Sequence, residues 1–311
     1  MLVFFGLITA LFLVIKSAEY AMQYSTKIAT NLKIPKYVVG FLIVSVISAL
    51  PETFIGIDSA LQGTPSFGLG TLLGANVADL TIIFAIPIFL CSRCLMVKSK
   101  ILKHGKLYIF MIALPVVFGF NGYYSRWEGI ILILAGFYFY YLLFWRNRES
   151  IIKSDGYFSW KYFSFLLLSM MALLVSANFT VKFGVSLAEN FNVHPIIIGM
   201  FFVGLGTTLP ELLFSIKAVK RNHDELAIGD IMGMVITDST IVIGILALIS
   251  PFAFNPKIIY ITGGFMVVAS VILLYFMRTG KTLNKKEAII LVFFYLLFVF
   301  VELFANSFFD I

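Results

Sequence analysis

Apolar residues run through this sequence in long stretches, and short segments between them hold most of the charged residues. A helix that crosses a bilayer needs about 20 mostly apolar residues. The stretches predict ten such helices, near residues 1–28, 37–60, 68–90, 107–122, 127–145, 160–188, 195–216, 226–250, 258–277 and 288–306. The pattern therefore predicts an all-α polytopic membrane protein, with the lipid bilayer as its surroundings.

Composition strengthens this interpretation and excludes other classes. Hydrophobic residues make up 60% of the 311 residues and charged residues 13%, and the mean hydropathy is +1.00. Soluble domains average about 45–50% apolar and about 25% charged residues. A chain with so few charges could not cover a surface that faces water, so a soluble enzyme, a disordered chain and a secreted disulfide scaffold are excluded.

The net charge of +7 is best explained by membrane topology. Eighteen of the 23 Lys and Arg residues fall in odd-numbered connections between predicted helices, whereas even-numbered connections hold only Arg126 and Lys257. The positive-inside rule places the odd connections in the cytoplasm and both termini outside the cell membrane. Because the charges are spread over five short connections, we expect no nucleic-acid partner.

The chain also repeats itself at a constant offset of 159 residues. The segment Ser48–Glu52 (SALPE) resembles Thr207–Glu211 (TTLPE). Without a gap, the same offset also pairs glycines with glycines, aspartates with aspartates, and Ser17-Ala18 with Ser176-Ala177. The sequence therefore predicts two homologous halves, residues 1–145 and 162–311, joined by a cytoplasmic linker, 146–161. The strongest similarity lies at 40–85 and 199–244.

The number of helices per half sets their relative orientation. Five helices is an odd number, so the two halves must enter the membrane in opposite directions. Inverted repeats of this kind are common in secondary transporters, whose substrate site lies at the midplane where the repeats meet. Neither half contains a G-x-x-x-x-G-K-[ST] nucleotide-binding loop, so we expect no nucleotide partner and no ATP-driven pumping.

Four carboxylates fall inside predicted spans at repeat-related positions: Glu52, Asp79, Glu211 and Asp238. Each ionisable group in the bilayer core costs about 2.5–3.5 kcal/mol on insertion scales. No Lys or Arg lies within the four spans that contain them, so a bound cation or protons must supply the counter-charge. The sequence therefore predicts a cation site.

A proline precedes each of the two glutamates and predicts a broken helix there. Pro51 and Pro210 lack a backbone donor and clash with the preceding turn, so we expect carbonyls one turn back, including those of Ser45 and Gly204, to be freed. Exposed carbonyls beside carboxylates coordinate cations in transporters.

Hydroxyl groups lie one turn before the glutamates. Ser48 is four residues before Glu52, while Thr207 and Thr208 are four and three residues before Glu211, so each is expected to face the same side of its helix as the carboxylate. These three hydroxyls complete the predicted metal ligands.

This set of ligands indicates which ion is bound. Ca²⁺ takes 6–8 oxygen ligands and favours carboxylates with carbonyls, and no Cys or His lies near the set, which disfavours zinc and copper. Monovalent ions can share the same oxygens, and competition between two ion species for one site gives antiport. No cofactor is expected beyond the transported inorganic cations.

Glycines are spaced as G-x-x-x-G in both halves, at Gly70 and Gly74 and at Gly229 and Gly233. This spacing lets helix backbones approach closely. We therefore expect the third and eighth helices to pack against the second and seventh.

The repeated segments resemble the sodium/calcium exchanger family, whose two repeats carry G-T-S-L-P-E followed by G-N-x-x-G-S-N-x-x-(N or D). Here the first elements are Ile47–Glu52 (ISALPE) and Gly206–Glu211 (GTTLPE), and the second are Gly70–Asp79 (GTLLGANVAD) and Gly229–Asp238 (GDIMGMVITD). The resemblance implies ten helices, a diamond-like central site, and alternating access in which the first and sixth helices slide past the rest.

Departures from the family pattern bear on the counter-ion. Ala49, Ala75 and Met234 replace serines that the resemblance associates with sodium sites, and Asp79 stands where some relatives carry Asn, which adds a titratable acid. These changes favour proton coupling, but proton-coupled relatives carry G-N-A-x-E where this chain keeps L-P-E. The sequence therefore favours Ca²⁺/Na⁺ antiport, with Ca²⁺ (or another divalent cation)/H⁺ antiport as the alternative.

Two other classes use intramembrane acids. An aspartyl protease needs two facing aspartates, which Asp79 and Asp238 could supply, but its GxGD context is absent. A passive cation channel also uses acidic rings, although a single chain with an inverted repeat fits alternating access better. We therefore expect a transporter that works as a monomer, and not an enzyme.

Overall fold

The structure is a computed structural model, and it describes residues 2–31, 44–91, 94–97, 105–152, 157–191 and 195–307. The start of the predicted second span (37–60) and of the first repeat motif (40–85), with Gly40, lies outside these ranges. So do residues 153–156 of the predicted linker.

The described residues form ten helical rods, α1 to α10, most of which begin and end within a few residues of the predicted spans. In the first half these are α1 (Leu2–Asn31), α2 (Ser45–Ser48 and Leu50–Leu61), α3 (Pro65–Leu80 and Ile82–Cys91), α4 (Gly105–Phe118, with a 3₁₀ turn at Gly119–Asn121) and α5 (Arg126–Ile152). In the second half they are α6 (Trp160–Phe191), α7 (Pro195–Lys220), α8 (Asp224–Ile249), α9 (Pro256–Arg278) and α10 (Lys285–Ser307). The predicted ten-helix class is therefore confirmed.

Eight of these described rods are long and apolar enough to cross a membrane, and Gly105–Asn121 is a shorter apolar helix. The tenth, α2, has its described part interrupted between Ser48 and Leu50. Length and composition thus agree with a membrane-embedded bundle.

Four short strands join the halves as two ribbons. The strands are β1 (Leu95–Met96), β2 (Tyr123–Tyr124), β3 (Phe252–Ala253) and β4 (Thr282–Leu283). β1 pairs antiparallel with β4, and β2 pairs antiparallel with β3, so each ribbon takes one strand from each half.

These ribbons show that the repeats are inverted. β2 and β4 are equivalent at the 159-residue offset, yet they belong to different ribbons. α4 lies between the connection that holds β1 and the connection that holds β2, so the ribbons lie at its opposite ends. Equivalent loops of the two halves therefore face opposite sides of the bundle.

The starts of α5 and α10 are set by the same local motif. The backbone N–H of Ser125 donates to Glu128 (2.7 Å), and that of Asn284 donates to Glu287 (2.8 Å). In return, the side-chain oxygens of Ser125 and Asn284 accept hydrogen bonds from the backbone N–H groups of these two glutamates. This reciprocal capping satisfies donors that have no partner within the helix.

The core is built on α3 and α8, which are the most buried of the candidate spans. A Cβ added at Gly70 would lie 2.2 Å from the carbonyl oxygen of Ile196, and one at Gly74 would lie 2.4 Å from that of Met200. α3 therefore packs backbone to backbone on α7, and the first segment of α8 packs on Ser45–Ser48 of α2, as the glycine spacing predicts.

α1 and α6 form a pair at the periphery of this core. Val14, Ala18 and Ala21 of α1 pack with Leu166 and Leu173 of α6, while only 28% of the apolar span of α1 and 33% of that of α6 is buried inside the bundle. Their position leaves them in contact with the rest of the protein along one side only.

Candidate functional site

The two predicted helix breaks are present and have nearly the same geometry. α2 is interrupted at Ala49 (φ −70°, ψ −3°) and α7 at Thr208 (φ −79°, ψ −4°). The prolines lie in the first turn of the segments that follow, where a missing N–H is tolerated. Glu52 and Glu211 therefore lie in the first turn of Leu50–Leu61 and Leu209–Lys220, where the helix dipole favours a negative charge.

The prediction that the carbonyls of Ser45 and Gly204 are freed is wrong. The N–H of Ala49 donates to the Ser45 carbonyl at 3.1 Å, and the N–H of Thr208 donates to the Gly204 carbonyl at 3.3 Å. The reason is that each proline begins a new segment, so the preceding segment completes its own last turn before the break. The Gly204 carbonyl also accepts from the Thr207 hydroxyl at 3.0 Å, so both of its lone pairs have partners within its own helix.

Asp79 and Asp238 lie where the central helices α3 and α8 depart from regular geometry. Asp79 precedes the interruption of α3 at Thr81 (φ −125°, ψ −85°), and Asp238 lies in a π-helical turn, Thr237–Val242. The hydroxyls of Thr81 and Thr240, 159 residues apart, bond to carbonyls one turn back. Irregular helical turns of this kind are frequent at functional sites.

The four predicted carboxylates are fully buried, and they lie near one another. None of them is exposed to solvent, and none of their eight oxygens has a hydrogen-bond partner among the described residues. Glu211 lies within electrostatic range of Glu52 and Asp79, and so does Asp238. The structure thus brings acids from both halves to one interior region.

The described part of the chain offers these acids no protein cation. Its buried polar and charged residues include no Lys or Arg. Nor do three of its His, Cys, Asp or Glu side chains converge closely enough to hold a metal ion in the usual way. The carboxylates therefore surround the region without closing on a single point.

The predicted hydroxyl ligands have different partners in the two halves. Ser48 donates to Asp230 at 2.7 Å. Thr207 donates to the Gly204 carbonyl at 3.0 Å, and its side chain lies beside Glu52 of the other half. Thr208 donates to the carbonyl of Leu205 at 3.1 Å, so this hydroxyl is directed to its own backbone.

Asp230 is a fifth buried carboxylate in this region, and it was not predicted from the sequence. It is fully buried on α8, and one of its oxygens has no partner among the described residues. Only acids whose repeat counterpart is also acidic were predicted to lie at the site, and the counterpart of Asp230 is Thr71. A charge within an otherwise apolar span was the signal that could have identified it.

Tyr140 of α5 also reaches the region and was not predicted. Its hydroxyl contacts Thr237 at 2.6 Å, the Gly233 carbonyl at 3.0 Å and Ser45 at 3.4 Å. It therefore ties α2 and α8, which come from different halves, to α5. It also lines a 760 Å³ cavity with residues of α2, α5 and α8.

Comparison with known proteins identifies a family. The family model "Sodium/calcium exchanger protein" matches residues 2–145 and 161–304. The sodium/calcium exchanger MaX1 of Methanosarcina acetivorans is 24% identical, over 96% of this chain and 97% of that protein. A putative antiporter, CaxA of Alkalimonas amylolytica, is 27% identical, over 91% of this chain and 93% of that protein.

Solved structures of similar fold include the sodium-calcium exchanger NCX_Mj. One structure of it, soaked with 2.5 mM Na⁺ and 0.1 mM Ca²⁺, matches with a TM-score of 0.70 at 18% identity, covering 96% of this chain and 98% of that one. At this identity the match establishes the shared fold.

Proposed function

Because the chain belongs to the sodium/calcium exchanger protein family, we propose that it is a secondary antiporter that moves Ca²⁺ in exchange for Na⁺ by alternating access. Members of this family are transporters, so the protein is a transporter and not an enzyme.

One observation carries the proposal: buried acids from both halves surround one region. None of the oxygens of the four predicted carboxylates has a hydrogen-bond partner among the described residues. Leaving charges unpaired in a membrane interior is expensive. A transported cation removes this cost while it is bound, and an incoming ion of the other species must replace it. That requirement couples the two fluxes.

The chemistry of the region suits Ca²⁺. Carboxylate, hydroxyl and carbonyl oxygens are the ligands that Ca²⁺ prefers. We propose Glu52, Asp79, Glu211 and Asp238 as the charged ligands. The proposed neutral oxygens are the hydroxyls of Ser48, Thr207 and Thr208 and the carbonyls of Ser45 and Gly204; the Gly204 carbonyl becomes available when the Thr207 hydroxyl turns from it to the ion.

Alternating access follows from the inverted repeat. α1 and α6 contact each other along their length at the edge of the core. They can therefore move together without disrupting the packing of α3 and α8. Movement of this pair would open the site to one side and then to the other. We propose that the protein acts as a monomer in the cell membrane with both termini outside.

Proton coupling is the second candidate. Its specific support is the number of buried acids in the region. Five ionised carboxylates carry a charge of −5, so one bound Ca²⁺ would leave a net charge of −3. Protons could neutralise the excess as well as Na⁺ could.

Calcium uptake into proteoliposomes tests the proposal. With entrapped Na⁺ and none outside, uptake should exceed that of liposomes with equal Na⁺ on both sides, whereas a proton gradient alone should give little. Uptake driven only by the proton gradient would mean that the counter-ion is H⁺ and not Na⁺. Uptake that needs neither gradient would indicate a channel and contradict antiport.

A matched pair of variants links the flux to the site. Glu52→Gln removes a buried charge at constant size, and Glu189→Gln makes the same chemical change at an exposed position on α6. Only the first should abolish exchange.

A further inference from the structure

Asp230 lies beside the central site, at a contact between the two halves. The hydroxyl of Ser48, on α2, donates to its Oδ1 at 2.7 Å. Its Oδ2 is buried and has no hydrogen-bond partner in the described ranges. A buried carboxylate oxygen without a donor is costly unless a ligand neutralises it.

The equivalent place in the other half has no such pair. Asp230 corresponds to Thr71, whose hydroxyl donates to the Phe67 carbonyl of its own helix at 3.1 Å. Ser48 corresponds to Thr207, which donates to Gly204 of its own helix. The extra charge therefore occurs on one side of the pseudo-twofold arrangement only.

Asp230 is also displaced from the centre. It precedes Asp238 by eight residues, which is about 12 Å along a helix, towards the end of α8 that begins at Asp224. It nevertheless lies within electrostatic range of Asp79 and Glu211. An ion at Asp230 would therefore interact with the central acids without sharing their carboxylates, and Ser48 would be the one oxygen common to both positions.

The ligand chemistry indicates the type of ion. A serine hydroxyl has one proton and two lone pairs; its proton here is directed at Oδ1, so its lone pairs face other groups. Oδ2 and the Ser48 oxygen are hard ligands suited to alkali or alkaline-earth cations. One negative charge matches one monovalent cation.

We propose that Asp230 and Ser48 form an additional Na⁺ position beside the central carboxylates, which adds one counter-ion to the exchange cycle. This proposal rests on the exchange function proposed above. It assigns to Asp230 a role in counter-ion coupling that its repeat counterpart, Thr71, does not share.

Two nearly isosteric variants at equivalent positions test the proposal. Asp230→Asn removes the charge, and Thr71→Val removes the hydroxyl that is bonded within its own helix. The Na⁺ dependence of Ca²⁺ uptake should shift about tenfold to higher Na⁺ in Asp230→Asn, the size expected for one charge-assisted contact, with a Hill coefficient lower by about one. Thr71→Val should match the wild type.

A binding measurement separates this proposal from the exchange function. Na⁺ without Ca²⁺ should raise the Tm of the detergent-solubilised wild type, because a ligand that binds only the folded state stabilises it. The Na⁺ concentration that gives half of this rise in Tm should be higher in Asp230→Asn than in the wild type. This result can be obtained even if no gradient drives Ca²⁺ uptake, in which case the exchange function fails and the Na⁺ position stands.

Two results would overturn the Na⁺ position. An unchanged Na⁺ dependence in Asp230→Asn would remove Asp230 from ion binding. A changed pH dependence of uptake in Asp230→Asn, with the Na⁺ dependence unchanged, would assign this carboxylate to a proton. If Asp230→Asn does not fold, Ser48→Ala tests the same position, and its Na⁺ requirement should rise in both the uptake and the Tm measurement.

Discussion

The first half of the molecule, 1–145, and the second half, 162–311, share their backbone features but differ in the polar groups at their centre. Helix breaks occur at Ala49 and Thr208, and residues with positive φ end the next segments, Gly63 (75°) and Asn222 (57°). Each pair is 159 residues apart. The repeated sequence therefore encodes the same sequence of breaks and turns twice.

The polar groups at the centre depart from this symmetry. Asp230 in the second half faces Ser48 of the first, whereas its counterpart Thr71 has no charge. Tyr140 of α5 reaches the site, whereas position 299 at the same place in α10 is Val. The symmetric backbone can therefore supply alternating access, while the asymmetric side chains can distinguish the ions.

The largest effect is expected where the halves are most alike. Glu52→Gln and Glu211→Gln should each reduce Ca²⁺ exchange at least about 100-fold, because losing one charged ligand from a buried site costs several kcal/mol. Initial rates in proteoliposomes measure this, with size-exclusion profiles showing that both variants fold. Near-normal exchange in either variant would remove that glutamate from the site and break the equivalence of the halves.

The next effect concerns the contact between α3 and α7. Gly74→Ala should lower the free energy of unfolding by about 1–3 kcal/mol, a typical cost of overpacking, because the added Cβ would lie 2.4 Å from the Met200 carbonyl. Gly264→Ala is the matched control, since nothing lies within 4 Å of a Cβ there. Thermal unfolding in detergent compares them, and equal Tm values would contradict the close contact.

A third effect concerns the lost hydroxyls. Ala75→Ser should lower the Na⁺ concentration needed for half-maximal Ca²⁺ uptake about fivefold, since a new hydroxyl ligand contributes about 1 kcal/mol. Met234→Ser restores the equivalent hydroxyl but also removes a large buried side chain, so it should cost stability as well. No change in Na⁺ dependence in Ala75→Ser would mean that this position does not line a sodium site.

The smallest effect concerns two polar links between the halves. Glu19 of α1 pairs with Lys217 of α7 at 3.3 Å, and Asn178 of α6 donates to Asp58 of α2 at 2.8 Å. These pairs are equivalent at the 159-residue offset, and the inversion places them towards opposite sides of the membrane.

Removing the two links should therefore bias access in opposite directions. Lys217→Met and Asn178→Leu should each shift the balance of inward and outward states by about two- to fivefold, since an exposed ion pair contributes under about 1 kcal/mol and a part-buried hydrogen bond about 1 kcal/mol. Labelling of a cysteine introduced near the site, from each side of the membrane, measures the shift. Shifts in the same direction would contradict the equivalence of the links.

Much of the fold could be predicted from the sequence, because its signals are local. The ten helices follow from the length of apolar stretches, and both breaks follow from Pro51 and Pro210. The grouping of Glu52, Asp79, Glu211 and Asp238 was expected because charges in apolar spans are costly and their positions repeat. The boundaries at 145 and 162 remain predictions.

The sequence by itself thus determined where the chain crosses the membrane, where its helices break, and which repeated acids lie inside. Only the tertiary structure decided that Ser48 bonds to Asp230 and that Tyr140 reaches the site. The physical reason is that apolar length and proline geometry act within one helix. The partner of a buried polar group depends on which other helices pack beside it, and a single helix carries no record of its neighbours.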